Sequence, residues 1–209
     1  MFFFGSLYAQ LNSIGVDSTA AFANKFTIRK HRYVGYIRDS QFFITRPNGS
    51  ILIKMKGDYN GWELKDVDGD GFKDILVNIS GNTPAVNDLL LFLPAKKNFK
   101  KVGDFSKFPD AHKIAGTKYY YSYHKSGCAD MNWDSDLFYI NNHHAIRIGN
   151  IYGEQCSENG DKEGKLLISR INGVKKRLVE TKSSKVLSRY KENKWGFLKA
   201  YWSKNYRLF

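Results

Sequence analysis

Asp66-Val67-Asp68-Gly69-Asp70-Gly71-Phe72-Lys73-Asp74, followed at once by Ile75-Leu76-Val77-Asn78-Ile79, is the stretch on which the reading of this chain turns. Carboxylates recur at 66, 68, 70 and 74, with glycines at 69 and 71. A hard cation such as Ca²⁺ takes six to eight oxygens at about 2.3–2.6 Å, and a loop of alternating aspartates supplies them. Gly71 permits a sharp turn that would strain a residue carrying a Cβ. The predicted ligands are Asp66, Asp68, Asp70 and Asp74, with the main-chain carbonyl of Phe72. A helix–loop–helix calcium hand would close with a glutamate at its twelfth position, which here is Val77, inside an alternating run. Asp74 must therefore close the loop and a strand must follow it. The predicted unit is strand–calcium loop–strand, and the competing reading is a polar Asp/Gly turn at a hairpin tip. Four clustered carboxylates repel one another without a cation, which favours the metal.

Working outward, strands dominate. Gln41–Arg46 and Ile51–Met55 flank Pro47-Asn48-Gly49-Ser50, and Asn-Gly between apolar runs predicts a hairpin. Phe26–Ile37 alternates imperfectly and reads as one strand with an irregularity, after an extended or short helical lead-in over 11–25. Asp88–Leu93 is continuously apolar after its first residue and ends at Pro94, as a strand buried on both faces would. Asn98–Val102 and Thr117–Ser122 read as further strands. Leu137–Ile140 pairs with Ala145–Tyr152 across Asn141-Asn142-His143-His144, and Gly164–Arg170 with Lys176–Val179 across Asn172-Gly173. Trp195, Leu198, Tyr201 and Trp202 recur at offsets of three and four, predicting a C-terminal amphipathic helix. The expected fold is mainly β, an antiparallel sandwich or barrel-like sheet with the calcium hairpin and that helix. No second copy of the aspartate loop exists in the sequence, so a repeat array is not expected.

The chain has 209 residues, a length suited to one domain, here 10–209. Met1 to Ala9 is a short apolar run ending in small residues, like the back half of a secretory signal, although an apolar first strand would look similar. No run approaches the length of a membrane span. Export, to periplasm or medium, makes Cys128 and Cys156 most simply a disulfide; in cytosol they would be two thiols.

Charge is unevenly spread. The net charge is +13, and from Lys165 to Phe209 there are 13 Lys or Arg against two Glu, a net +11. Lys175, Lys176 and Arg177 are its densest part and the candidate anion-binding residues. A tail of this kind suits a polyanion such as an anionic glycan, an acidic protein, an anionic membrane surface or simple solvation. Export argues against nucleic acid as the partner. The acids around Asp130 to Asp136 offer a general acid and base for a carbohydrate-active enzyme, the competing functional class. No phosphate-cradling glycine loop, serine elbow or zinc ribbon occurs.

The aspartate loop resembles the calcium loop of FG-GAP and VCBS repeat proteins, in Asp66, Asp68, Asp70, Gly71 and Asp74. A single copy, an apolar strand and a disulfide-sized loop together resemble exported bacterial β-sandwich proteins related to periplasmic inhibitors of invertebrate-type lysozyme. The similarity runs over about Gly57 to Ile151 by order of elements. It implies a protein that binds a lysozyme-like hydrolase or toxin through an exposed loop, with Ser126-Gly127 as the candidate partner-binding element. The basic tail departs from the acidic character usual in such inhibitors.

Overall fold

The structure, a computed structural model, describes residues 20–129, 131–156 and 164–209. The expected signal remnant at 1–9 and the acid Asp130 lie outside them. No helix among the described residues is long and apolar enough to cross a membrane. Contacts divide the chain into two compact units. One comprises Met1–Gly81 with Asn87–Lys101, and the other Asn82–Val86 with Val102–Phe209.

The first unit is a sandwich of two four-stranded antiparallel sheets. One sheet runs in order β1 (Ala21–Ile28), β2 (His31–Arg38), β3 (Gln41–Thr45) and β4 (Ile51–Met55). The other runs β5 (Tyr59–Lys65), β6 (Asp74–Ile79), β7 (Asn87–Leu93) and β8 (Asn98–Val102). Phe42 and Ile44 of the first sheet meet Ile75, Val77, Leu90 and Phe92 of the second in one buried cluster. Each fully buried side chain of this size contributes about 1.5–3 kcal/mol. Five consecutive residues of β7 are buried, as its apolar run predicts. Asp88, the one acid among them, accepts hydrogen bonds from the Tyr59 hydroxyl at 2.6 Å and the Lys101 ammonium at 2.7 Å.

The predicted single strand over Phe26–Ile37 is instead two strands, β1 and β2, and β1 begins within the expected lead-in. Arg29 and Lys30 make the reversal at φ 47° and 65°, and Asp39 and Ser40 the next one at φ 50° and 57°. Left-handed residues in pairs match the right-handed twist of a hairpin. Neither pair contains the glycine that usually announces such a turn.

The second unit is built on one antiparallel sheet. Its strands are β9 (His112–Lys113), β10 (Tyr119–Tyr121), β11 (His124–Lys125), β12 (Trp133–Asn141), β13 (His144–Glu154), β14 (Lys165–Asn172) and β15 (Lys175–Ser183). The order is β15-β14-β13-β12-β10-β9, with β11 paired to one end of β12. Both predicted hairpins, β12–β13 and β14–β15, are present. The helix α1 (Lys194–Asn205) lays Phe197, Leu198 and Trp202 against one sheet face, where Trp133, Leu137, Ile151, Leu166 and Ile168 meet them. The Trp202 indole donates to Ser135 at 2.8 Å, satisfying both polar groups in the core. Trp195, predicted on the apolar stripe, is 41% exposed and stands edge-on against Tyr123. Trp133 lies flat over Gly153, where a Cβ would come within 2.2 Å of the indole.

Candidate functional site

Two loops carry the candidate residues, one in each unit. The first joins β5 to β6. Gly69 and Gly71 take φ of 75° and 89°, so both turns fall where glycine is favoured. The chain then curls around its own carboxylates. Asp66 accepts from the amides of Gly69 at 2.7 Å and Gly71 at 3.0 Å, and Asp68 from that of Asp70 at 3.1 Å. Asp66, Asp68 and Asp74 each offer an oxygen within 4.8 Å of the others. Oxygens bound to one calcium at about 2.3–2.6 Å lie at most about 5 Å apart, so this triad fits a hard divalent ion.

Asp74 differs from its neighbours. It is 1% exposed and begins β6, where it accepts from the amides of Val67 and Phe92, each at 2.9 Å. It thus ties the loop to β7 of its own sheet. Burial pushes its carboxyl up to about 6, against the lowering effect of these amides. Of the other expected ligands, Asp70 is exposed and outside the triad, and accepts from the Phe72 amide at 2.8 Å. The Phe72 ring turns to Phe92 and carries the Arg29 guanidinium above it at 4.2 Å.

The second loop joins β11 to β12 and is anchored at several points. Cys128 and Cys156 form a disulfide, with Cα atoms 6.2 Å apart. The Ser126 amide donates to the Asn132 carbonyl at 2.8 Å, closing the stem. The buried Asn132 side chain then clamps the second cysteine's strand. Its Oδ1 accepts from the amides of Gln155 at 2.9 Å and Cys156 at 3.0 Å, and its Nδ2 donates to the Cys156 carbonyl at 3.3 Å. Gly127, Cys128 and Ala129 all have positive φ, and these residues and Met131 are exposed. Sequence reasoning missed Asn132, because an asparagine beside a cysteine carries no signal until the fold brings residue 156 to it.

Beneath that stem lies a polar network on the sheet face opposite α1. Asn150 donates to Asp134 at 3.0 Å and to Asp136 at 2.9 Å, while Lys176 donates to the Asn150 carbonyl at 2.9 Å. His124 Nε2 stands 3.6 Å from Asp134. Burial pushes the Asp134 carboxyl up, but the neighbouring His124 imidazole and hydrogen bonds from Asn150 and Ser126 outweigh it and hold the group low. The Asp134 carboxylate beside it raises the His124 pKa against the opposing effect of burial. Asp136, 2% exposed, is pushed up by burial against the Asn150 bond and the Arg147 charge. Of the acids considered for catalysis, Asp134 and Asp136 therefore share one amide inside this network.

Lys175, Lys176 and Arg177 fall on β15, the end strand of the sheet, and all three are exposed.

No family model matches the chain, and no curated protein matches it. A solved structure described as "Structure of a Xanthomonas Type IV Secretion System related protein" is similar to it at 16% identity, over 77% of this chain and 86% of that one, with a TM-score of 0.47.

Proposed function

We propose that this chain is an exported, calcium-stabilised binding protein whose partner-binding element is the loop from Ser126 to Met131. The partner class we propose is a lysozyme-like cell-wall hydrolase or toxin. The observation that carries this reading is the construction of the loop. Gly127, Cys128, Ala129 and Met131 are exposed while the stem is fixed by a disulfide, by Asn132 and by the network around Asp134. A loop fixed before it meets a partner loses little conformational entropy on binding, which raises affinity without new contacts. The disulfide fits an oxidising compartment, periplasmic or extracellular. The triad of Asp66, Asp68 and Asp74 supports calcium as the ion that holds the first unit's loop.

The test is inhibition of peptidoglycan lysis by a panel of lysozymes of different classes, including the invertebrate type. The Ala129→Arg variant is measured beside the parent. Ala129 is exposed and already left-handed, so the new side chain crowds the partner and leaves the core alone. The expected result is inhibition of at least one class by the parent and its loss in the variant, with the melting temperature unchanged. Inhibition of none, or equal inhibition by both proteins, would overturn the reading.

A further inference from the structure

Among the described residues, the strand β15 has one neighbour, β14, and forms an end of its sheet. None of its nine residues is buried, whereas β14 alternates with four buried positions. The backbone groups of an end strand point alternately to its neighbour and to solvent, so its outer side offers unpaired donors and acceptors. Val174 just before the strand is fully exposed, and Leu178 and Val179 within it are 56% and 49% exposed. Between them stand Lys175, Lys176 and Arg177.

Charge on this edge is unbalanced at a definite place. Arg177 faces Arg170 directly across the β14–β15 ladder, and Lys175 follows Arg177 on the same sheet face. Like charges directly opposite one another on a ladder are destabilising. No carboxylate meets them among the described residues: Arg170 donates to the Leu208 carbonyl, beside Arg207, and Lys175 and Arg177 have no partner. Further along the same strand the charge is balanced. Glu180 pairs with Lys182 and accepts from the Tyr201 hydroxyl at 3.3 Å. The imbalance is thus confined to the first half of β15, before the irregularity opposite Ile168 and Ser169.

We propose that the first half of β15 is a docking edge for an extended acidic segment of a partner protein, which adds to the sheet as a further strand. Its carboxylates would relieve the repulsion among Arg170, Lys175 and Arg177, its backbone would pair with the outer side of β15, and its apolar residues would cover Val174 and Leu178. Strand addition draws affinity from main-chain bonds and selectivity from alternate side chains. An anionic glycan would use the cations alone and leave the apolar residues and backbone groups exposed. The inference is independent of the loop reading.

The experiment uses the full chain and a fluorescent nine-residue peptide of alternating glutamate and valine, followed by anisotropy at low salt. Three controls accompany it: the same peptide with lysine for glutamate, the glutamate peptide methylated at alternate backbone nitrogens, and heparin. The glutamate peptide is expected to bind, the other two peptides not. Lys175→Gln with Arg177→Gln should weaken binding roughly five- to tenfold, as expected for two exposed charge pairs. Ala129→Arg should leave it unchanged. Amide resonances of Lys175 to Leu178 should move most. Equal binding of the methylated peptide, or binding of heparin alone, would mean a polyanion site and overturn the proposal. Binding of none would mean that the lysines only guard the edge, and would overturn it equally.

Discussion

The two loops solve the same problem by different physics. Asp66 to Asp74 gathers negative charge around the loop's own amides, and its one buried carboxylate, Asp74, fastens it to β7. Ser126 to Asn132 is fastened by a covalent bond and a neutral amide. In the calcium reading proposed above, cation concentration adds to the first fastening. The second depends on the redox state of its compartment. A protein in which the metal-type loop sits in one unit and the disulfide loop in the other can lose either fastening without directly loosening the other.

Asp74→Ala should break this comparison most severely. It leaves the amides of Val67 and Phe92 without their acceptor in a buried place, at about 1–3 kcal/mol for each. The loss should appear in urea unfolding even with chelator present, because these two bonds need no ion. Asp70→Ala, at an exposed position outside the triad, should change stability little, with calcium or with chelator. Equal effects of the two substitutions in chelator would show that Asp74 is merely another ligand.

Replacing Cys128 and Cys156 by serine should follow, at about 3–4 kcal/mol for a closed loop of this size in the chain-entropy model. The effect should be the same with calcium and with chelator, and a difference between the two would couple the loops. Asn132→Ala sharpens the point, since it removes the clamp and keeps the covalent bond. It should lower stability less than the serine pair, yet loosen the loop's amides in hydrogen exchange.

The smallest effect is a pH dependence of the second unit. His124 has its pKa raised above 6.5 in the folded protein by Asp134, with Asp136 adding to it and burial and Arg147 opposing. The protonated form is therefore favoured by folding. The resulting stability is complete below about pH 6.5 and lost as pH rises through the folded value. His124→Gln should flatten that slope in unfolding measured from pH 6 to pH 9. An unchanged slope would place the titrating group elsewhere.

Much of the β architecture was legible because alternation and turn residues act locally. Asn48-Gly49 and Asn172-Gly173 mark their hairpins, and the buried run of β7 ends at Pro94. Arg29-Lys30 and Asp39-Ser40 were not legible as turns, since their left-handed geometry is imposed by the strands they connect. In the aspartate loop the spacing named the carboxylates, while three-dimensional closure decided that Asp66, Asp68 and Asp74 converge and Asp70 stays outside. Trp195 carries the helical period yet stays 41% exposed against Tyr123 at the margin of the core, because period alone does not say where a sheet ends. Asp134 was legible as an acid, while its partners Asn150 and Ser126 are assembled only by strand register.

Hydrogen exchange of both loops in four conditions, with calcium or chelator and with or without reductant, tests the central claim most directly. Calcium should slow exchange at Gly69, Gly71 and Phe72 and leave Ser126, Met131 and Asn132 as they were. Reductant should speed exchange at Ser126, Met131 and Asn132 and leave the aspartate loop alone. Exchange at Gly69, Gly71 and Phe72 that is identical with millimolar calcium and with chelator would contradict the account, and the aspartate loop would then be a turn and nothing more.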